Sequence, residues 1–188
     1  MDEPNEASLN GWGEGHLRKA YDILGLPVIG VSNGKRLGTA KDFWLDAEMQ
    51  AQGVVLETKN WFTAARYIDW DDVVSFGEDA ITVQGDWVLR DWEETPDSIC
   101  LVNGKRKLKG VPIMTVNGQQ LGLVEDVYFS ENMDKTIIGY ELSDGFLSDV
   151  TEGRKWLPAP DKTTFGEDVL LVPVHAGQDL NEITNEIG

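Results

Sequence analysis

Carboxylates dominate the chemically active side chains of this chain, and one group of them recurs. The stretch Phe76-Gly77-Glu78-Asp79 returns as Phe165-Gly166-Glu167-Asp168. Paired carboxylates could hold a metal ion or act as a catalytic acid and base. Neither copy has a His, a Cys or a further carboxylate at a fixed offset to complete such a site. Because glycine and aspartate favour tight reversals of the backbone, both copies are predicted to be turns between strands.

The other groups able to do chemistry are scattered along the chain. The histidines, His16 and His175, lie near opposite ends, and Cys100 stands in an apolar run. We find no Ser-His-Asp arrangement and no zinc-ligand spacing, and the Gly11–Gly15 segment does not follow a strand as a nucleotide-binding loop would. We therefore predict that the chain is not an enzyme and that it binds no cofactor and no metal ion.

The charge balance bears on the class of partner. The chain has 33 acidic and 16 basic residues and a formal net charge of −17, which would on average repel a phosphate backbone. Its one basic cluster is Lys105–Lys107 with Lys109. This cluster could touch RNA or an anionic membrane surface, or it could be a solvated linker beside the acidic run Asp91–Asp97. We favour the linker, and we expect a protein partner rather than nucleic acid.

The first residues and the hydropathy of the chain bear on its cellular location. The chain opens with the acidic stretch Met1–Glu6 where a secretory signal would need positive charge, and no apolar stretch approaches the length of a membrane span. We expect a soluble cytoplasmic protein. Attachment to a peripheral membrane complex stays open.

The elements that position these residues come in two copies. Residues 25–38 resemble residues 110–122, and each block begins with Gly-x-Pro, continues as an apolar run and reaches an Asn-Gly pair. Asn33-Gly34 and Asn117-Gly118 predict hairpins with type I′ turns, in which both central residues have positive φ. Each block is followed by further short strands and then by the repeated FGED turn, so one structural unit occurs twice.

Each unit therefore has about five or six short strands with tight turns, which is typical of a small closed or nearly closed barrel. The predicted fold is mainly β, with two tandem small β-barrels and short helical segments at the termini and in loops. One such segment lies around Ala20. Another is predicted to begin at Asp179, where the alternative is a frayed tail. The predicted divisions are a lead-in at 1–24, a first barrel at 25–90, a linker at 91–107, a second barrel at 108–175 and a tail at 176–188.

The two matched blocks, with the short strands and FGED turns that follow them, resemble the PRC-barrel family. That family is named for a cytoplasmic domain of the photosynthetic reaction centre H subunit, and it also supplies a domain of ribosome-maturation factors. Two copies in one short chain are similar to the tandem PRC-barrel proteins of spore-forming Gram-positive bacteria. The resemblance implies small barrels that act as docking modules, and it brings no catalytic residues with it.

Aromatic residues outside the matched blocks are candidates for a partner surface. Tryptophan is enriched at binding hot spots, and Trp61 and Phe62 lie in a stretch without strand alternation. The extra residues of the second copy, 143–154, form a loop that could set specificity. The predicted partner surface comprises Trp61, Phe62, Trp70, Phe146 and Leu147. The alternative is that the aromatic residues of the first half cap a barrel or pack between the barrels.

Two functions remain from the sequence. The first is a non-catalytic adaptor that binds a protein partner through one or both barrels. The second is a factor associated with RNA processing or ribosome maturation, which would depend on the residues 105–109. The sequence predicts neither the identity of the partner nor the oligomeric state.

Overall fold

The computed structural model of the chain describes residues 17–57, 63–144 and 153–182. These residues form mainly short strands, arranged as two curled sheets that we call the first and second barrel. Strand β1 (Arg18–Lys19) and the single-turn helix α1 (Ala20–Ile23) precede the first barrel. The predicted helical lead-in is thus confirmed for one turn. None of the helices in the described part of the chain has the length and apolar character of a membrane span.

The first barrel is an eight-stranded sheet. Seven of its strands are β2 (Pro27–Gly30), β3 (Lys35–Leu45), β4 (Ala51–Glu57), β5 (Arg66–Asp69), β6 (Val73–Phe76), β7 (Ile81–Val83) and β8 (Arg90–Asp91). They lie in the order β6-β7-β2-β3-β4-β5-β8. The β2–β7 pair is parallel, and the other pairs in this order are antiparallel. Two 3-10 helices, Trp70–Asp72 and Asp86–Val88, join strands within the sheet.

The short strand β9 (Ile99–Cys100) leads to the second barrel, which repeats the first. Seven of its eight strands are β10 (Pro112–Thr115), β11 (Gln120–Phe129), β12 (Gly139–Ser143), β13 (Lys155–Pro158), β14 (Thr164–Phe165), β15 (Leu170–Val172) and β16 (Asn181–Glu182). They lie in the order β14-β15-β10-β11-β12-β13-β16, and their one parallel pair is β10–β15. A 3-10 helix, Val174–Gln178, precedes the last strand. The mainly β fold with two tandem barrel-like units is therefore confirmed.

The Asn-Gly hairpins form, but not with the predicted turn. Gly34 and Gly118 have φ of 67° and 91°, whereas neither Asn33 nor Asn117 has positive φ. A type I′ turn needs positive φ at both residues, so that prediction is wrong. In the first hairpin the side chain of Asn33 instead accepts a hydrogen bond from Lys35 N at 3.0 Å. In each hairpin, one left-handed glycine is enough to reverse the chain direction, because the loop is longer than a two-residue type I′ turn.

The repeated FGED segments are turns, and arginines hold them in place. Gly77 N donates to Ala80 O, and Gly166 N donates to Val169 O, each at 2.9 Å. Arg18 donates to the Phe76 and Gly77 carbonyls at 2.7 and 3.0 Å. In the second copy, Arg106 donates to the Phe165 carbonyl at 3.1 Å and lies 5.0 Å from the centroid of its ring.

Each barrel includes a strand from the segment that precedes the other barrel. Strand β1, ahead of the first barrel, pairs with β11 of the second, where Lys19 lies opposite Tyr128. Strand β9, ahead of the second barrel, pairs with β3 of the first, where Cys100 lies opposite Trp44. The segments before and after the first barrel in sequence thus each contribute a strand, one to the second sheet and one to the first. Backbone hydrogen bonds of β1 and β9 therefore tie the two barrels together.

The barrels also share an apolar core, and Trp70 lies within it. The ring of Trp70 is 5.4 Å from that of Phe43 and 5.4 Å from that of Phe129 in the other barrel. Its Nε1 donates to Met133 O at 2.9 Å, and the residue is 5% exposed. The prediction of Trp70 on a partner surface is therefore wrong. The alternative, that aromatic residues of the first half pack between the barrels, holds for this residue.

The C-terminal segment is not helical where it is described. The prediction of a helix beginning at Asp179 is wrong for its first turn, because Asn181 and Glu182 pair with Trp156 and Lys155 as a strand. The remaining residues of that predicted helix lie outside the described ranges. A partly buried leucine of this segment, Leu180, packs against the core, so apolar spacing alone did not distinguish a helix from a strand here.

Candidate interaction surface

The predicted partner surface falls largely outside the described residues. Trp61, Phe62, Phe146 and Leu147 all lie there. Since Trp70 is buried, the described part of the chain must present any docking surface through other residues.

The described tryptophans differ in exposure. Trp44, Trp92 and Tyr67 pack edge to face or tilted, with ring centroids 5.4–5.7 Å apart, and all three residues are half-buried. Trp156 is 6% exposed and contacts the ring of Tyr128 at 4.7 Å. Trp87 is different, because 68% of it is exposed.

The local backbone explains why Trp87 points outward. Trp87 is the central residue of the 3-10 helix Asp86–Val88, which follows β7. Its ring lies over Gly85, where an added Cβ would overlap ring carbons. Gly85 itself is extended, with φ of −177°, so a missing side chain and not a special backbone angle makes room for the indole. The ring thus rests on the barrel by one side only.

Strand β6 lies beside Trp87 at the edge of the first sheet. It bulges at Val74, which has no partner in the register with β7 and is 50% exposed. Strand and 3-10 helix border a surface cavity of about 440 Å³. We call this surface the β6 face, and its residues are Asp71, Asp72, Val73, Val74, Gln84, Trp87, Val88 and Arg90.

The β6 face continues toward the second barrel. A second cavity of about 240 Å³ also borders β6, and it is lined by Val74, Ser75 and the Glu131–Met133 turn of the second barrel. Arg18, whose backbone pairs with β11, holds the far end of β6 through its two carbonyl contacts. The position of β6 therefore depends on both barrels.

The cations around the β6 face are paired with carboxylates of the same region. The Asp69 carboxylate raises the pKa of Arg90, because it stabilises the charged guanidinium. These exposed pairs leave no isolated positive charge among the residues that line the cavity. The pairs are Arg90 Nε to Asp69 Oδ2 at 2.9 Å, Arg90 Nη2 to Asp72 Oδ2 at 3.4 Å, Lys135 Nζ to Asp71 Oδ2 at 2.7 Å and Lys35 Nζ to Asp86 Oδ2 at 3.6 Å.

The second barrel provides an internal comparison for this surface. Counted from the shared FGED turn, Val74 corresponds to Thr163. Counted from the equivalent strands β7 and β15, Trp87 corresponds to Ala176, which is 1% exposed. The same sheet order thus forms without an exposed valine or tryptophan at these places. A comparison of the two copies outside their matched blocks would have shown from the sequence that the two barrels differ at both positions.

Two of the four cations of the basic cluster make side-chain contacts within the protein. Arg106 is engaged with Phe165, and Lys109 Nζ lies 4.7 Å from the Tyr21 ring centroid. A hydrogen bond with the Tyr21 hydroxyl raises the pKa of Lys109. The backbone N of Lys105 donates to Glu94 at 2.6 Å, so a carboxylate of the acidic linker lies beside the cluster, as predicted.

Cys100 and His175, two of the residues considered for catalysis, lie within the described residues, whereas His16 lies outside them. Cys100 is buried, and burial, with smaller contributions from Asp42 and Glu94, raises the pKa of its thiol to about 12. The thiol is therefore protonated at neutral pH and is a poor nucleophile. His175 is exposed on the 3-10 helix Val174–Gln178. Within the described ranges, no three His, Cys, Asp or Glu side chains converge as metal ligands.

Comparison with known proteins agrees with this architecture. The model of the PRC-barrel domain matches residues 16–90 and residues 103–179, which are most of the chain. The chain belongs to the PRC-barrel family. Both PRC barrels include the strands that carry the shared turns, and the first match contains the whole β6 face.

The tandem PRC-barrel arrangement is also similar to a bacterial protein. The chain is 30% identical over 149 residues to "Uncharacterized protein YrrD" of Bacillus subtilis (strain 168). The alignment covers 77% of this chain and 80% of that relative. This similarity spans both barrels and supports the resemblance that the sequence suggested.

Proposed function

We propose that this tandem PRC-barrel protein is a non-catalytic adaptor of the cytoplasm that binds a protein partner through the β6 face. The observation that carries the proposal is the exposure of Trp87 and Val74 beside one cavity. The second barrel has Ala176 and Thr163 at the corresponding places, so forming this fold does not require an exposed tryptophan or valine there.

Physical chemistry favours a docking role for such a face. An exposed tryptophan buries a large apolar area when a partner covers it, and tryptophan is enriched among residues that dominate binding energy. The cavity of about 440 Å³ falls in the size range of sites that accept a drug-sized ligand or a few side chains. The bulge at Val74 and the charged rim discourage uncontrolled pairing along the edge strand.

The absence of catalysis is part of the proposal. It is supported by the protonated thiol of Cys100 and by the solvent-exposed position of His175. The alternative of an RNA-associated factor has less support, because Arg106 and Lys109 make contacts within the protein. An RNA partner would also meet a chain with a net charge of −17.

Site-specific photo-crosslinking tests the proposal. A benzophenone amino acid is placed at Val74 and, as a matched control, at the exposed Lys162 of the second barrel, and each protein is irradiated in the cells that produce it. We expect a discrete protein adduct from position 74 that position 162 does not form. Adding Trp87→Ala should remove it, while Val116→Ala, at a 67% exposed position of the second barrel, should leave it.

Adducts that form equally from both positions, or that survive Trp87→Ala, would show that the β6 face is not the docking site. Adducts with RNA that disappear at high salt would favour the alternative function. Circular dichroism of each variant confirms that the comparison is made between folded proteins.

A further inference from the structure

We propose that the segment bound by the β6 face is cationic, with a Lys or Arg side chain over Trp87 and aliphatic neighbours against Val74. This inference rests on the proposed docking role and adds the chemistry of the partner. The occupant is a short segment of a protein, not a nucleic acid and not a lipid surface.

The first feature that favours a cationic segment is the exposed side of the Trp87 ring. Its ring contacts the barrel at Gly85, while 68% of the residue remains exposed. Among the aromatic side chains, tryptophan binds cations best through the negative potential of its ring face. The aliphatic residues Val73 and Val74 border the same cavity and suit the methylene stem of a long cationic side chain.

The second feature that favours a cationic segment is the carboxylate of Asp71. It borders the same cavity as Trp87, and its side chain is 77% exposed. Its present partner is Lys135 of the second barrel, at 2.7 Å and 37% exposed. Exposed ion pairs contribute little to stability, so an incoming cation can share or replace Lys135 at small cost. Asp72, which is 34% exposed and paired with Arg90, adds negative potential beside it.

An anionic segment has no equivalent support. The ion pairs of this region join four carboxylates to three cations, so negative charge exceeds positive charge there. The net charge of −17 draws cationic segments toward the protein and repels anionic ones. The second barrel shows the contrast within one molecule, since Pro160 and Lys162 stand where the β6 face has Asp71 and Val73. A cationic segment should therefore bind the first barrel only.

Nuclear magnetic resonance of the full chain tests this inference with two defined probes. Acetyl-Val-Arg-Val-amide is compared with acetyl-Val-citrulline-Val-amide, which has nearly the same shape and no charge. The reporter is the indole N–H signal of Trp87, assigned by its loss in Trp87→Phe. We expect a saturable shift with the arginine peptide and an affinity about threefold or more lower for the citrulline peptide.

A matched pair of variants separates local charge from overall charge. Asp71→Asn should reduce the preference for arginine, whereas Asp161→Asn, the same charge change at an exposed position of the second barrel, should not. Equal affinity for both peptides, or no saturable shift up to their solubility limits, would overturn the inference. If the two peptides bind equally, the cationic preference is wrong, but the docking role tested by crosslinking is not affected. If the crosslinking experiment fails, the docking role itself is wrong.

Discussion

Two buried aspartates occupy equivalent places on the long strands but have different surroundings. Asp42 is 2% exposed and Asp126 is 5% exposed. Asp42 accepts hydrogen bonds from the backbone N of Phe43, Leu101, Val102 and Asn103, and from the Asn103 amide, at 2.6–3.0 Å. It therefore fixes the segment that enters the second barrel onto the first.

Replacing Asp42 by Asn should destabilise the protein substantially. Whichever way the new amide is oriented, its NH2 group would face backbone N–H groups that now donate to a carboxylate. Hydrogen bonds to charged groups and the cost of unpaired buried donors together predict a loss of about 2–4 kcal/mol in the free energy of unfolding. Urea denaturation measures it. A loss no larger than that of the exposed control Asp161→Asn would contradict this role for Asp42.

Asp126 has fewer donors, namely Val127 N at 2.8 Å and Tyr21 N at 3.4 Å. Burial, with a smaller contribution from Glu141, raises its pKa to about 6, while the backbone hydrogen bonds and Lys19 act in the opposite direction. The unfolded chain loses this proton near pH 4, while the folded protein keeps it until about pH 6. Asp126 therefore lowers the free energy of unfolding as the pH rises through that window.

Asp126→Asn should remove this pH dependence. Between pH 4 and 7, the free energy of unfolding of the variant should gain about 2–3 kcal/mol relative to the wild type, since each unit of pKa difference corresponds to about 1.4 kcal/mol. Urea denaturation of both proteins at a series of pH values gives the difference. A difference that stays constant across the series would contradict the raised pKa.

At the scale of elements, Arg18 ties the edge strand β6 to the second barrel. Its backbone belongs to β1 and pairs with Phe129, while its guanidinium donates to two carbonyls at the end of β6. The strand that carries the β6 face is thus positioned by a residue that precedes the first barrel in sequence.

Arg18→Gln should loosen β6 without unfolding the protein. Loss of the charged donor should cost about 1 kcal/mol locally and raise amide hydrogen exchange in β6 and β7 by about fivefold. Arg36→Gln is the control, because Arg36 bonds only to the nearby Thr39 among the hydrogen bonds of the described residues. Equal exchange in the two variants would show that Arg18 does not position β6.

Substitution of Trp70 should destabilise the protein, whereas substitution of Trp87 should leave its stability almost unchanged. Trp70→Phe keeps an aromatic ring in the core but removes the donor to Met133 O, so the free energy of unfolding should fall by about 1–3 kcal/mol. Trp87→Ala should change it by less than about 0.5 kcal/mol, because the residue is exposed. Thermal or urea denaturation of each variant tests both. A large loss for Trp87→Ala would indicate a structural role instead of docking.

At the scale of the whole molecule, the barrels should unfold together. The exchanged strands β1 and β9, the backbone hydrogen bond from Ala51 N to Lys135 O at 2.7 Å and the shared core all cross between them. Neither sheet keeps its full set of strands if the other is lost. The chain is therefore expected to behave as one cooperative unit despite its repeat.

Urea denaturation followed by amide signals in both barrels tests this cooperativity. Val54 in β4 and Leu142 in β12 are suitable buried probes. Both signals should share one midpoint, and Trp70→Phe should move both midpoints by the same amount. Two separate midpoints, or a shift confined to the first barrel, would mean that the barrels fold independently.

Much of the fold could be predicted because its signals are local. Asn-Gly pairs, Gly-x-Pro entries and FGED turns punctuate the apolar runs, and their recurrence shows two copies of one unit. The turn type could not be derived, since the φ of Asn33 depends on the loop length that the paired strands impose. Nor does any local signal mark Met49 and Met133 as left-handed residues, with φ of 60° and 51°.

The sequence by itself determined the mainly β class, the tandem repeat and its family, because spacing and turn chemistry are properties of neighbouring residues. Only the tertiary structure decided that Trp70 is buried while Trp87 is exposed, and that β1 belongs to the second barrel. Exposure and strand exchange depend on contacts between residues far apart in the chain, such as Arg18 with Phe129. Those contacts exist only after both sheets have curled and packed together.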